Sequence, residues 1–124
     1  MQTRIEHIAI WVKDLERMKT FYETYFGCAS NQKYVNISKG FSSYFLTFDS
    51  GARLELMCHP KINQIFDEFE PLGLSHFAIS VGSQKEVDGL TLRLKTDGIP
   101  IVSEPRITGD GYYESVILDP EGNT

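Results

Sequence analysis

Long apolar runs are missing from this 124-residue chain. No segment is long and apolar enough for a membrane span, and the strand-like N-terminus lacks the apolar stretch of a signal peptide, so the expected address is the cytoplasm. Cysteine is scarce. Cys28 and Cys58 are the only two, with no CxxC spacing and no dense framework, which predicts reduced intracellular thiols and excludes a disulfide scaffold. Positive charge is also in deficit: 12 Lys and Arg stand against 17 Asp and Glu, a net charge of −5, and the cations are dispersed. That pattern excludes a nucleic-acid footprint. The partners expected are a small molecule and a second copy of the chain, with no nucleic acid and no membrane. What is present, 41% hydrophobic and 23% charged residues, suits one compact domain able to bury a core.

The chain also repeats itself. "EHIAIWVKDLERMKTFYETYFG" near the start and "SHFAISVGSQKEVDGLTLRLKTDG" past the middle each run from His, an apolar residue, Ala and Ile into a helix-like segment that stops at Gly. His7 and His76 are 69 positions apart. In the first copy "IEHIAIWV" predicts a strand over 5–12, and Asp14 caps a helix with Leu15, Met18, Tyr22, Tyr25 and Phe26 at helical spacing, ended by Gly27. Three strands follow, "NQKYVNIS", "FSSYFLTF" and "ARLELMC", the last two separated by the turn "DSG" at 49–51. The first module, 1–60, is therefore βαβββ. A connector or short helix covers 61–72. The second module, 73–124, restarts with the strand "SHFAISV". A capping box of Ser83 and Glu86 then opens a helix with Val87, Leu90 and Leu94 on its face and Gly98 at its end. The strands "IPIVSEP" and "YYESVIL" and the turn "DPEGN" complete the given sequence, one strand short of a second βαβββ. "TGDG" at 108–111 is a turn too short for a phosphate loop.

Strand alternation sorts these residues by face. Ile8, Ile10 and Val12 belong on the helix side, while His7, Ala9 and Trp11 point away. In the second copy Phe77, Ile79 and Val81 go to the helix and His76, Ala78 and Ser80 opposite. Leu54, Leu56 and Cys58 face the helix, and Arg53, Glu55, Met57 and His59 face away. His7, Glu55 and His76 thus all project from faces that carry no helix. Two imidazoles and a carboxylate so disposed suit a borderline divalent ion such as Zn²⁺, Ni²⁺, Co²⁺ or Fe²⁺. Each residue taken singly has a blander fate: a lone strand His is more often a hydrogen-bonded structural residue, and Glu55 is equally placed to pair with Arg53. Recurrence of the His at the same point of both copies, beside a carboxylate, favours the ligand reading. His59 shares the face of Glu55 and is as well read as a pocket residue as a surface His before Pro60. Trp11, Met57 and His59 are the candidate substrate-pocket residues.

The ordered set "HIAIWVKDLERMKTFYETYFG", "RLEL", "HFAISV" and "ILDPEGN" resembles the vicinal oxygen chelate superfamily, the glyoxalase I and bleomycin-resistance group, over essentially the whole chain. The resemblance implies an α+β fold of paired βαβββ modules whose curved sheets form a cleft, each supplying half of a metal site, commonly in a homodimer. Glyoxalase I types resemble His, Glu, His, Glu in chain order, and His7, Glu55 and His76 fit the first three. Three-ligand branches, which include fosfomycin resistance and ring-cleaving dioxygenases, lack a carboxylate at the position of Glu55, and bleomycin-sequestering members bind no metal. By the resemblance, a divalent ion stabilises an enediolate while Glu55 carries the proton. The alternative is a non-catalytic protein that sequesters a flat ligand with Trp11.

Two positions depart from the glutathione-dependent type. Four residues after the first ligand, where an Arg is expected, stands Trp11, and four after the carboxylate, where an Asn is expected, stands His59. Losing a charge-assisted anchor makes a glutathione adduct a poor expectation. The repeat also predicts a fourth ligand. Glu55 follows Gly51 by four residues, so the counterpart of Gly122 places a Glu or another metal-binding residue at 126, beyond the given chain.

Overall fold

The computed structural model describes residues 2–61, 74, 76–109 and 111–124. The chain divides into two compact units, Met1–Ile65 and Phe66–Thr124. Apart from Lys61, the expected connector lies outside the described residues.

The first unit has one short strand more than the expected βαβββ. Strand β1 (His7–Trp11) leads into helix α1 (Leu15–Phe26), followed by β2 (Ala29–Ser30), β3 (Tyr34–Asn36), β4 (Phe41–Thr47) and β5 (Arg53–Cys58). The Asp14 side chain accepts the Arg17 N–H, and Gly27 closes the helix at φ 64°, a left-handed conformation that costs a β-carbon dearly. Strand order is β1-β5-β4-β2, with β3 also on β4, and β1 runs parallel to β5. The strand expected over 31–38 is shortened to β3, and β2 before it was not expected; between them the Asn31 side chain accepts the Phe45 N–H at 2.8 Å while its own N–H donates to the Phe45 carbonyl at 3.1 Å. Both short strands therefore still pair with β4.

Period-2 alternation puts Val12, Leu46, Leu54 and Leu56 under α1, where they meet Met18, all with 3% exposure or less. Burial of such side chains is worth roughly 1.5–3 kcal/mol each. The helix buries Leu15, Met18, Phe21 and Tyr22. Phe21 was outside the expected face, and Tyr25 and Phe26 are half-buried. Tyr44 ties sheet to helix by donating to Glu16 Oε1 at 2.9 Å.

In the second unit α2 (Gln84–Thr96) precedes an antiparallel pair, β6 (Ile101–Ile107) and β7 (Tyr113–Ile117). Ser83 caps α2 by accepting the Glu86 N–H. At the other end Ile99 N–H reaches the Leu94 carbonyl and Gly98 N–H the Lys95 carbonyl, a Schellman closure with Gly98 at φ 84°. The strand expected at 75–81 is corrected: 76–81 is not strand. Its alternation survives, with His76, Ala78 and Ser80 exposed and Phe77, Ile79 and Val81 half-buried. A strand needs a ladder, however, and among the described residues no strand pairs with this segment, although Phe77 N–H reaches the Thr124 carbonyl at 3.4 Å. The unit is therefore αββ among the described residues, and the α+β class holds. Thr91, outside the expected helix face, is buried and bonds to Ser115 Oγ at 2.7 Å.

Candidate metal centre

Helix α1 packs on one face of the first unit's sheet, and the β1–β5 register decides what meets on the other. His7 lies beside Arg53, Ala9 beside Glu55 and Trp11 beside Met57. His7 Nε2 stands 3.8 Å from Glu55 Oε1. The other ring nitrogen, Nδ1, donates to Glu6 Oε2 at 2.5 Å. Glu6 is held in turn by Arg53, whose Nε donates to Glu6 Oε1 at 2.6 Å. The Arg53 guanidinium lies 4.2 Å from the Phe45 ring centroid, and Phe45 meets the His7 ring edge-on at 5.2 Å.

This arrangement answers a question left open by the sequence. Arg53 pairs with Glu6, so the side chain of Glu55 is not spent on it. Donation from Nδ1 to Glu6 also sets the tautomer, leaving the lone pair of His7 on Nε2. Two acceptors, Nε2 and the Glu55 carboxylate, then face each other beyond hydrogen-bond distance. Two acceptors so placed suit a shared cation. Ordinary Zn–N and Zn–O lengths put two ligands of one ion about 3.0–3.4 Å apart, so the pair needs to close by roughly half an ångström. The Glu55 side chain is 14% exposed and that of His7 40%, and the carboxylate behind the imidazole is the outer support that metal-bound histidines ordinarily have. The donor set fits a borderline divalent ion. Hydrogen bonding from His7 first, then from Arg53, holds the Glu6 carboxyl below its usual 4.5.

His76, the third expected ligand, is an exposed residue of the second unit. Among the described residues no group of three or more His, Cys, Asp or Glu side chains is placed to share one ion. Of the expected pocket residues, Trp11 is 53% exposed and meets Phe41 edge-on at 6.2 Å. Met57 is half-buried, in register with both Trp11 and Ser43. His59 lines a pocket of about 600 Å³ with Tyr34, Asn36, Lys39 and Phe41, which neither His7 nor Glu55 lines. Sequence reasoning missed Glu6 and Lys39. The signal for Glu6 was an acidic residue directly before the candidate ligand, opposite an Arg in the paired strand.

Both cysteines are free thiols. Burial pushes Cys28 up to about 11, and Cys58 donates to the Lys13 carbonyl at 3.4 Å. Among the described residues no helix is long and apolar enough to cross a membrane.

The Glyoxalase/Bleomycin resistance protein/Dioxygenase superfamily model matches residues 4–124. Among solved structures, a Zea mays glyoxalase I variant is similar at 26% identity and a TM-score of 0.78, over 97% of this chain but 42% of its own. This chain thus spans less than half the length of the maize enzyme. The trypanothione-dependent glyoxalase I of Leishmania major is 25% identical with a TM-score of 0.77, over 98% of this chain and 83% of its own. A glyoxalase/bleomycin resistance/dioxygenase domain from Frankia sp. shares the fold at 20% identity and a TM-score of 0.82, covering 99% of this chain and 94% of its own. No curated protein matches the chain significantly.

Proposed function

Because the chain belongs to the Glyoxalase/Bleomycin resistance protein/Dioxygenase superfamily, we propose that it is a metal-dependent lyase or isomerase of glyoxalase I type, moving a proton on a small carbonyl or vicinal-oxygen substrate. One observation carries this reading: His7 Nε2 and Glu55 Oε1 face each other at 3.8 Å with Glu6 behind the imidazole. His7, Glu55 and, from the second unit, His76 are the proposed ligands of a Zn²⁺, Ni²⁺, Co²⁺ or Fe²⁺ ion. That ion supplies electrophilic polarisation of a substrate carbonyl. Glu55 takes the proton from the neighbouring carbon, and its largely sheltered side chain keeps competing water away. Glu6 and Arg53 keep the imidazole in one tautomer and one orientation. Trp11, Met57 and His59 contact the substrate. His76→Ala is expected to remove most bound metal while leaving the circular dichroism spectrum intact, because an exposed residue contributes little to the core. Equal metal content in wild type and variant by elemental analysis would sink the ligand assignment.

The proposed assembly is a cytoplasmic homodimer, supported by the half-exposed Trp11 on the sheet face opposite α1. Light scattering that gave a metal-loaded monomer at micromolar concentration contradicts it. A second reading, a non-catalytic protein that sequesters a flat ligand, is supported by the ring group of Trp11, Phe41 and Tyr34. Metal content separates the two, since only the first requires it.

A further inference from the structure

The pocket lined by Tyr34, Asn36, Lys39, Phe41 and His59 has a volume of about 600 Å³, within the range of small-molecule sites. Its walls are aromatic. Tyr34 and Phe41, on paired strands, have ring centroids 6.0 Å apart at 61°, and Trp11 abuts Phe41 at 87°. Tyr34 is 52% exposed, so its ring surface faces solvent where a planar body can cover it.

The polar lining has one sign. In a chain of net charge −5, no carboxylate lines this pocket among the described residues. Lys33 and Lys95 each have a Glu within 3.0 Å. The Lys39 ammonium has no such partner among the described residues. His59 accepts the Lys61 N–H on Nδ1 at 3.0 Å, so its neutral ring carries the proton on Nε2 and is a donor. One cation and one N–H donor suit a carboxylate.

The site is also built in advance. Asn36 Oδ1 accepts from Ser38 Oγ at 2.9 Å and from the Lys39 N–H at 3.2 Å, and Gly40 N–H closes the turn onto the Ile37 carbonyl. Gly40 has φ 65°, and a β-carbon there would meet Pro60 Cδ at 3.2 Å. The turn that carries Lys39 is thereby held against the residue following His59.

We propose that this pocket binds a planar aromatic compound bearing a carboxylate, with the rings against Phe41 and Tyr34 and the carboxylate on Lys39 and His59. His59 lies four residues beyond Glu55, about 13 Å along an extended chain, so the pocket is the recognition end of a substrate whose carbonyl reaches Glu55. That last link rests on the function proposed above; binding in the pocket requires no metal.

Calorimetry on protein dialysed against a chelator, titrated with 2-naphthoate and with its uncharged counterpart 2-naphthalenemethanol, tests the proposal. The wild type should bind the acid more tightly than the alcohol. Lys39→Met should weaken the acid at least about tenfold, the scale of a charge-assisted hydrogen bond, and leave the alcohol unchanged. Phe41→Ala should weaken both. Equal affinity for acid and alcohol in the wild type, unchanged acid affinity in Lys39→Met, or no heat with the acid up to about 5 mM would each overturn it. His7→Ala should keep naphthoate binding while losing metal, so failure of the metal reading and failure of the pocket give different results.

Discussion

Glu6 touches no substrate in the proposed mechanism, yet its replacement is the sharpest probe of how His7 is prepared. Glu6→Gln keeps the side chain's shape. It exchanges a charge-assisted contact with His7 Nδ1 at 2.5 Å for a neutral one and removes the ionic partner of Arg53, now at 2.6 Å. Outer partners of metal-bound histidines are worth about 10–100-fold in metal affinity. The amide can still accept the Nδ1 proton, so about tenfold is expected for Glu6→Gln and about 100-fold for Glu6→Ala, which abandons it. The Glu6 side chain is half exposed, so the melting temperature of the metal-free protein should not move. Competition of Zn²⁺ and Co²⁺ against a chromophoric chelator reads the affinity directly. Hydrogen bonds from His7 and then Arg53 hold the Glu6 carboxyl below 4.5, so it is ionised at the neutral pH where the affinities are compared. Equal metal affinity in wild type, Glu6→Gln and Glu6→Ala at neutral pH would refute the tautomer argument.

Further outcomes follow from other contacts. Cys28 is raised from 9.0 to about 11 by burial; the unfolded chain releases its proton first, so this group makes stability fall between about pH 9 and pH 11, and Cys28→Ala should flatten that part of a denaturation-versus-pH curve. Thr91 is buried, donates to the Val87 carbonyl at 2.6 Å and meets Ser115 Oγ at 2.7 Å. Thr91→Val strands that hydroxyl and should cost about 1–2 kcal/mol in urea denaturation, with part recovered in Thr91→Val/Ser115→Ala; full stability in the single variant contradicts this. Trp11 and His59 offer no bidentate cation and no amide, so lactoylglutathione formation should stay below a kcat/KM of about 10⁴ M⁻¹s⁻¹, and a steady-state assay above that level reinstates the glutathione adduct.

The parts legible in the sequence were those set by period and by caps. Alternation placed His7, Trp11, Glu55 and Met57 on one face because each pairs across β1 and β5 without a register break. Asp14, Gly27, Ser83 and Gly98 announced helix ends through local chemistry alone. Contacts that depend on a distant strand were hidden. Glu6 reaches Arg53 only because β1 and β5 run parallel, a pairing that no local pattern encodes. Thr91 looked like a polar helix position until Ser115 on β7 supplied its partner. The segment 76–81 kept the alternation of a strand without becoming one, because alternation describes side chains whereas a strand is made by backbone pairing. Lys39 escaped notice because its place in the pocket follows from the 37–40 turn, where Gly40 approaches Pro60.

In the proposed site His7 and Glu55 together hold a divalent ion. Titrating Co²⁺ into the wild type, His7→Ala and Glu55→Gln, and following the visible ligand-field absorption, tests it most directly, because the spectrum reports both stoichiometry and donor set. One ion per chain is expected in the wild type, with at least about a tenfold loss of affinity and an altered spectrum in each variant. Identical titrations for all three proteins would contradict it.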